Sequence, residues 1–173
     1  MEKRISSKRI YEGNVLNLRV DEVKMDNGSM ARREVVEHRG AAAIVPILEG
    51  GDVILVRQFR YPIDTDLLEI PAGTLRAHEH PKACALRELE EETGYQCREI
   101  AEMLECFIAP GYSSERIHIF LARGLTKAEQ KVDEDESINV ERCRFSEALE
   151  KIRTGEIRDA KSIVGLQAAA RLL

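Results

Sequence analysis

The chain has 173 residues, which is enough for one domain with a proper core, or for one domain with a small appendage. Its 43% hydrophobic and 33% charged residues are typical of a soluble globular protein, and a net charge of −5 without any basic run argues against a nucleic-acid surface. No apolar run approaches the roughly 18 residues that a membrane span needs, and the N-terminus lacks the apolar core of a signal peptide. We therefore expect a cytoplasmic protein.

The first 38 residues predict three strands. Segments 4–11 and 15–25 alternate moderately, Asp26-Asn27-Gly28 supplies the residues of a tight turn, and segment 29–37 runs back. This small antiparallel sheet has little apolar surface of its own. We expect it to pack on something else, such as another subunit; the alternative is a simple extension of the main sheet.

The next segments predict buried strands. Segment 41–48 is a continuous apolar run, which is typical of a strand that is covered on both faces. A glycine-containing turn follows, and segment 53–59 returns as a second strand. A polar loop follows Arg60-Tyr61-Pro62, and segment 67–71 is a short strand that leads to Ala72-Gly73.

A helix is predicted over 81–93. Pro81 suits its first turn and Gly94 suits the position just past its end. At about 100° per residue, one face collects the positions expected in the core, which are Ala83, Leu86, Leu89 and Thr93.

The opposite face of this helix carries Glu88, Glu91 and Glu92. Like charges at these spacings repel by a few tenths of a kcal/mol per pair, and the helix dipole adds to the cost near the C-terminus. A hard divalent cation, which prefers carboxylate oxygens, is the natural occupant. The alternative is a solvated acidic face.

The rest of the chain adds three strands and two helices. Strands are predicted over 98–108, 116–123 and 138–143, with an acidic loop over 131–137. One helix over 145–153 stops at Gly155, and a closing helix over 161–173 has an apolar stripe at Ile163, Leu166, Ala169 and Ala170. Interleaved strands and helices predict a mixed α/β sandwich.

Cysteine and histidine spacing gives no sign of a metal site. Cys84, Cys97, Cys106 and Cys143 contain no CxxC pair, so we expect buried thiols. His118 lies in an alternating segment and is expected to be an ordinary strand residue.

The segment 73–95 resembles the signature of the Nudix hydrolases. Gly73 is followed after five residues by Glu79 and, after seven more, by the run RELEEETGY that begins at Arg87. The match has no departure at any defined position. The resemblance implies an α/β/α sandwich with a mixed sheet, and hydrolysis of a nucleoside diphosphate linked to another group with Mg²⁺ or Mn²⁺.

The resemblance also implies roles for individual residues. Carried over position by position, Glu88, Glu91, Glu92 and the Ala72 carbonyl would bind the metal, and Glu79 would assist nearby. Arg87 would orient a glutamate, and we expect both Arg87 and Glu91 to be catalytic residues.

Other pieces are similar to the ADP-ribose pyrophosphatase group of this family. They are RQFRYP, LLEIPAG and APGYSSE, together with Pro110, sixteen residues beyond Gly94. This group places a glutamate in an acidic loop to activate the attacking water. Glu134 is our first candidate and Glu136 our second, against the alternative of a solvated surface run. Arg60 would meet a substrate phosphate, against a surface salt bridge, and Glu69 would shape the floor of the site.

The same resemblance implies the domain organisation and the oligomer. Residues 1–38 would form an N-terminal sheet that is exchanged in a homodimer, and residues 39–173 the catalytic domain. The expected reaction splits ADP-ribose into AMP and ribose 5-phosphate. Rival hypotheses are another nucleotide sugar, a damaged nucleotide, or a non-catalytic sensing module.

Overall fold

The computed structural model describes residues 1–130 and 138–173. In chain order the strands and α-helices of these ranges are β1 (Lys3–Glu12), β2 (Leu16–Lys24), β3 (Met30–His38), β4 (Ala41–Pro46), β5 (Asp52–Arg60), β6 (Thr65–Glu69), β7 (Ala72–Thr74), α1 (Pro81–Thr93), β8 (Tyr95–Phe107), β9 (Arg116–Lys127), β10 (Ile138–Arg144), α2 (Phe145–Thr154) and α3 (Ala160–Ala169). A 3-10 helix, Tyr61–Ile63, separates β5 from β6.

The N-terminal strands form a sheet of their own. Its order is β1-β2-β3, and both pairings are antiparallel. Every residue of β1 is exposed. The sheet is tied to the rest of the chain through Val36 of β3, whose N–H donates to the Tyr112 carbonyl at 2.8 Å and whose carbonyl accepts from the Ser114 N–H at 2.9 Å. The predicted separate antiparallel sheet is confirmed.

The central sheet is mixed. Its order is β7-β4-β9-β8, with β4 and β9 parallel and the other pairs antiparallel. All six residues of β4 are buried. One face of β4 packs against α1, and the other packs against α3 and the residues of β5 and β6. This two-sided burial accounts for the continuous apolar run of the sequence.

A second sheet has the order β10-β5-β6 and is antiparallel throughout. The Ile47–Val53 bridge connects the end of β4 to β5 across the intervening turn. The predicted mixed α/β fold is confirmed. None of the described helices combines the length and the apolar content that crossing a membrane would require.

Helix α1 has the predicted bounds. His80 caps its first turn, Pro81 occupies the first helical position, and Gly94 ends it in the left-handed conformation at φ 68°. The Gly94 N–H donates to the Glu90 carbonyl at 2.9 Å, so this glycine provides a C-terminal cap that a residue with a side chain would strain to form.

The predicted core face of α1 is partly wrong. Leu89 and Thr93 are buried, but Ala83 and Leu86 are exposed, and Cys84 and Ala85 pack against the sheet instead. The helix is rotated about its axis relative to the prediction. This rotation brings Glu88 and Glu92, which are only 9% and 5% exposed, to the edge of the core.

Three further details differ from the predictions. The sequence did not indicate β7, which is three residues long and pairs with β4. Strand β8 starts directly after Gly94. Helix α3 ends at Ala169, which leaves Ala170 exposed outside the apolar stripe.

Candidate active site

A cavity of about 420 Å³ lies where α1 meets the edge of the central sheet. One part of its lining consists of Ala72, Gly73 and Thr74 of β7 with Arg87, Glu88, Glu91 and Glu92 of α1. Another part consists of polar residues from elsewhere in the chain, namely Gln58, Arg60, Glu115 and Lys161. The cavity therefore combines an acidic side with a side that carries two cations.

Arg87 organises the acidic side. Its Nε and Nη2 each donate to a carboxylate oxygen of Glu79 at 3.0 Å, and its Nη1 donates to Glu88 at 2.6 Å and to Glu91 at 2.7 Å. The Arg87 side chain is only 17% exposed. A single, mostly buried guanidinium thus bonds three signature carboxylates through a fork of donors that lysine lacks.

This network shifts the pKa values of its members. The hydrogen bonds from Arg87, together with the Arg76 backbone N–H, lower the pKa of Glu79 to about 2. The same contacts, led by the hydrogen bond to Glu79, raise the pKa of Arg87. Both groups are therefore charged throughout the physiological range.

Position 73 requires a glycine because the Glu88 carboxylate lies where a Cβ atom would be. A Cβ atom added at Gly73 would overlap the Glu88 carboxylate. The signature glycine thus leaves room for a carboxylate to lie directly against the backbone of β7. Beside it, burial raises the pKa of the Cys84 thiol to about 12, and this thiol donates to the Gly73 carbonyl at 3.5 Å.

Glu92 joins the helix to the same backbone. Its Oε2 accepts the Ala72 N–H at 3.0 Å, which places the Ala72 backbone nitrogen next to a carboxylate. The donor set of this side consists of carboxylate oxygens, and Ala72, whose carbonyl the signature implies as a further ligand, lines the same cavity. Hard oxygen donors of this kind suit Mg²⁺ or Mn²⁺, and they fit the divalent cation that the signature implies.

The cationic side centres on Glu69, a carboxylate that is only 1% exposed. Arg60 donates from Nε to Oε1 of this carboxylate at 2.9 Å and from Nη2 to Oε2 at 2.5 Å. The Lys161 ammonium also donates to Oε2. Burial pushes the pKa of Glu69 upward, but the hydrogen bonds and charges of Arg60 and Lys161 outweigh it and leave this pKa lowered. Of the predicted pair, Arg60 lines the cavity, whereas Glu69 is not part of the lining and is bonded to Arg60 instead.

Some predicted site residues are not brought to the cavity. Pro110 is exposed and does not line it, while Glu115 from the same loop does. Glu134 and Glu136 lie outside the described residues.

His118, expected to be an ordinary strand residue, bonds Glu102 through Nδ1 at 2.7 Å and lies close to Glu105 on the surface of β8 and β9.

Sequence reasoning missed Gln58, Glu115 and Lys161. Gln58 is 8% exposed on β5, and Lys161 is in the first turn of α3. No spacing in the sequence links these residues to the signature, because β5, the loop before β9 and α3 come together only in the folded chain.

Comparison with known families decides the classification. The model of the NUDIX domain matches residues 37–164. The chain belongs to the Nudix family. A second model, the nucleoside diphosphate sugar hydrolase N-terminal domain, matches residues 2–36 of this Nudix protein.

Individual relatives are similar over nearly the whole chain. An ADP-ribose pyrophosphatase of Bacillus subtilis (strain 168) and a methanol dehydrogenase activator of Bacillus methanolicus are each 39% identical over 168 residues, which is 96% of this chain and 91% of each relative. A solved structure of an ADP compounds hydrolase has the same fold, with a TM-score of 0.88 and 20% identity over 99% of this chain and 94% of that chain.

Proposed function

We propose that this Nudix hydrolase splits the diphosphate of ADP-ribose into AMP and ribose 5-phosphate. One observation carries the proposal: the same cavity is lined by carboxylates that Arg87 fixes and by the guanidinium of Arg60. A substrate diphosphate has non-bridging oxygens that need positive charge and a phosphorus that needs an activated water. Similarity to the Bacillus subtilis ADP-ribose pyrophosphatase supports ADP-ribose as the substrate.

The acidic side would hold the divalent cation, Mg²⁺ or Mn²⁺. The Ala72 carbonyl with Glu88, Glu91 and Glu92 would be its ligands, and Glu79 would assist nearby. When bound, the cation would neutralise phosphate charge and lower the pKa of water. The intact carboxylate set, with a glycine that makes room for one of its members, supports this assignment.

Other residues of the chain would position the reactants. Arg87 would keep the glutamates oriented, as its contacts with Glu79, Glu88 and Glu91 suggest. Glu134, or else Glu136, would take the proton of the attacking water. Arg60 would bind a substrate phosphate.

Two further residues would complete the substrate side. Glu69 would hold Arg60 at the wall, while Pro110 would shape the approach to the site from its loop. Glu115, from the same loop as Pro110, already lines the cavity.

The protein would act as a homodimer that exchanges its N-terminal sheets. The support is the surface of β1, where Ile5, Ile10 and Tyr11 are each more than 50% exposed. Apolar side chains in such number on one strand are typical of a surface that another chain covers. Residues 1–38 would form this dimer-making unit and residues 39–173 the catalytic unit, in the cytoplasm.

A second candidate is hydrolysis of another nucleotide sugar. The description of the N-terminal family, nucleoside diphosphate sugar hydrolase, favours this broader class. The same cavity would serve, because the proposed metal ligands and Arg60 would contact the diphosphate, which nucleotide sugars share. The remaining alternatives are hydrolysis of a damaged nucleotide and a non-catalytic sensing role.

The test is turnover of a substrate panel with Mg²⁺ by the wild type, Glu91→Gln and Glu90→Gln. The panel contains ADP-ribose, ADP-glucose, GDP-mannose, NADH, a diadenosine polyphosphate and an oxidised dNTP. Glu90 is the matched control, because this glutamate of the same helix accepts a hydrogen bond from Gln96 at 2.8 Å and does not line the cavity. We expect preference for ADP-ribose, lost in Glu91→Gln and kept in Glu90→Gln. A preference for GDP-mannose would show that ADP-ribose is not the main substrate. Binding of ADP-ribose without any turnover would favour the sensing role.

A further inference from the structure

Glu69 is a buried carboxylate that is bonded to two cations, Arg60 and Lys161, and both of these cations line the cavity. Arg60 and Lys161 both bond its Oε2, and Arg60 also bonds Oε1. Glu69 therefore keeps a cationic partner, Lys161, whenever Arg60 is engaged elsewhere. The proposed function gives Arg60 such a second task at the substrate.

The two cations are anchored differently. Lys161 is 14% exposed and also bonds Asp159 at 2.9 Å. Asp159 is in turn the N-cap of α3, accepting the Ser162 N–H at 3.1 Å. Lys161 is thus fixed by two carboxylates and by the start of a helix.

Arg60 is the freer of the two. Its side chain is 38% exposed at the end of β5, next to the 3-10 helix that begins at Tyr61. In the part of the chain that the structure describes, its hydrogen bonds go to Glu69 alone. A guanidinium fork fits a phosphate as well as it fits a carboxylate, so Arg60 has the chemistry to change partner.

We propose that Arg60 moves its guanidinium from Glu69 to the substrate diphosphate, and that Lys161 keeps the charge of Glu69 compensated when it does. This rests on the proposed function, because it requires a diphosphate in the cavity. Removing the last partner of a buried carboxylate is strongly unfavourable. Lys161 removes that barrier, and it is therefore a positioning residue that acts on substrate affinity through Arg60.

The proposal separates the effects on KM and on kcat. Without Lys161, Glu69 retains Arg60, so the substrate has to compete with a buried carboxylate for the same guanidinium. Affinity falls, while Arg87 and the signature glutamates are untouched. A lysine that bound substrate directly would also raise KM when removed, but it would do so whether or not Glu69 is charged.

The experiment is a double-mutant cycle with Lys161→Met, Glu69→Gln and the double variant. Lys151→Met is the matched control, because Lys151 also pairs with a glutamate, Glu156 at 2.6 Å, outside the cavity lining. We expect Lys161→Met to raise KM at least about tenfold, or about 1.4 kcal/mol, with kcat within about threefold of the wild type. In the Glu69→Gln background the same substitution should leave KM unchanged.

A KM effect of equal size in the Glu69→Gln background would overturn the proposal, since Lys161 would then contact the substrate itself. An unchanged KM in Lys161→Met would also overturn it. Lys161→Gln serves as a second uncharged variant if Lys161→Met does not fold, and Lys161→Arg, which keeps the charge, should keep a KM near that of the wild type.

Calorimetric binding of ADP to the same variants separates this proposal from the proposed function. If the wild type hydrolyses none of the panel but binds ADP with the expected variant pattern, the change of partner by Arg60 is supported and the hydrolase function is refuted. If the wild type hydrolyses ADP-ribose and the cycle shows no coupling between Lys161 and Glu69, the hydrolase function is supported and the change of partner is refuted.

Discussion

Replacing Gly73 with alanine tests the close approach of Glu88 to β7. The φ angle of Gly73 is not in the left-handed region, so alanine adds no backbone strain there, but its Cβ would overlap the Glu88 carboxylate. Glu88 would have to rotate away and lose its 2.6 Å hydrogen bond from Arg87. A hydrogen bond between charged groups contributes about 1.5–3 kcal/mol.

We expect Gly73→Ala to lower the free energy of unfolding by about 2 kcal/mol, which corresponds to a decrease in Tm of about 4–8 °C for a chain of this size. Because misplacing a catalytic group by about 1 Å can cost about a hundredfold in rate, we expect a loss of that order in kcat/KM. The assays are thermal unfolding by circular dichroism and turnover of ADP-ribose at several Mg²⁺ concentrations.

Gly50→Ala is the matched control for this experiment. A Cβ at Gly50 meets nothing within 4 Å, and its φ is likewise outside the left-handed region. It should keep wild-type stability and turnover. Wild-type kcat/KM and unchanged metal dependence in Gly73→Ala would refute the argument that Glu88 needs this space.

The remaining predictions concern packing, pH and assembly. Leu89→Ala should lower the free energy of unfolding by about 2–5 kcal/mol because Leu89 is fully buried, whereas Leu86→Ala should cost less than about 0.5 kcal/mol; denaturant titration of both measures the difference, and equal losses would contradict the packing of α1. The pKa of Glu79 is lowered in the fold, so its stabilisation is complete above its ordinary pKa and is lost as pH falls from about 4.5 to about 2; stability of the metal-free protein between these values should fall less steeply in Glu79→Gln, and identical slopes would contradict it. Analytical ultracentrifugation should give the mass of two chains for the wild type and of one chain for Ile10→Glu; a wild-type monomer would exclude the exchanged dimer.

Local signals account for what the sequence predicted well. Pro81 and Gly94 fix the ends of α1 because each has backbone requirements of its own, and the bounds are confirmed. The run of six buried residues in β4 is recognisable because both of its faces are covered. In the N-terminal sheet, alternation and the Asp26-Asn27-Gly28 turn identify three strands without reference to the rest of the chain.

The features that the sequence did not predict correctly depend on tertiary contacts. The helical period places Leu86 and Leu89 on one face, but it does not say how the helix is rotated against the sheet, and Leu86 is exposed. Strand β7 is too short for any periodicity and exists because β4 offers it a partner. Lys161 reaches Glu69 across 92 positions of the chain, a separation at which no sequence spacing carries information.

The charge network of α1 was predicted only in part. The repulsion among its glutamates indicated a positive partner, and Arg87 provides one within the same signature. The sequence did not show that one guanidinium bonds three carboxylates at once, because Glu79 reaches it from the loop that precedes the helix. The spacing of the signature therefore reflects how the loop and the helix pack together as well as which residues carry the chemistry.

The measurement that tests the central claim most directly is identification of the products from ADP-ribose, with Mg²⁺ and after its removal by a chelator. Chromatography with mass detection should show AMP and ribose 5-phosphate in equal amounts with Mg²⁺, and neither product without it. Absence of both products in the presence of Mg²⁺, or their equal formation in the chelated enzyme, would contradict the assignment of this cavity to metal-dependent diphosphate hydrolysis.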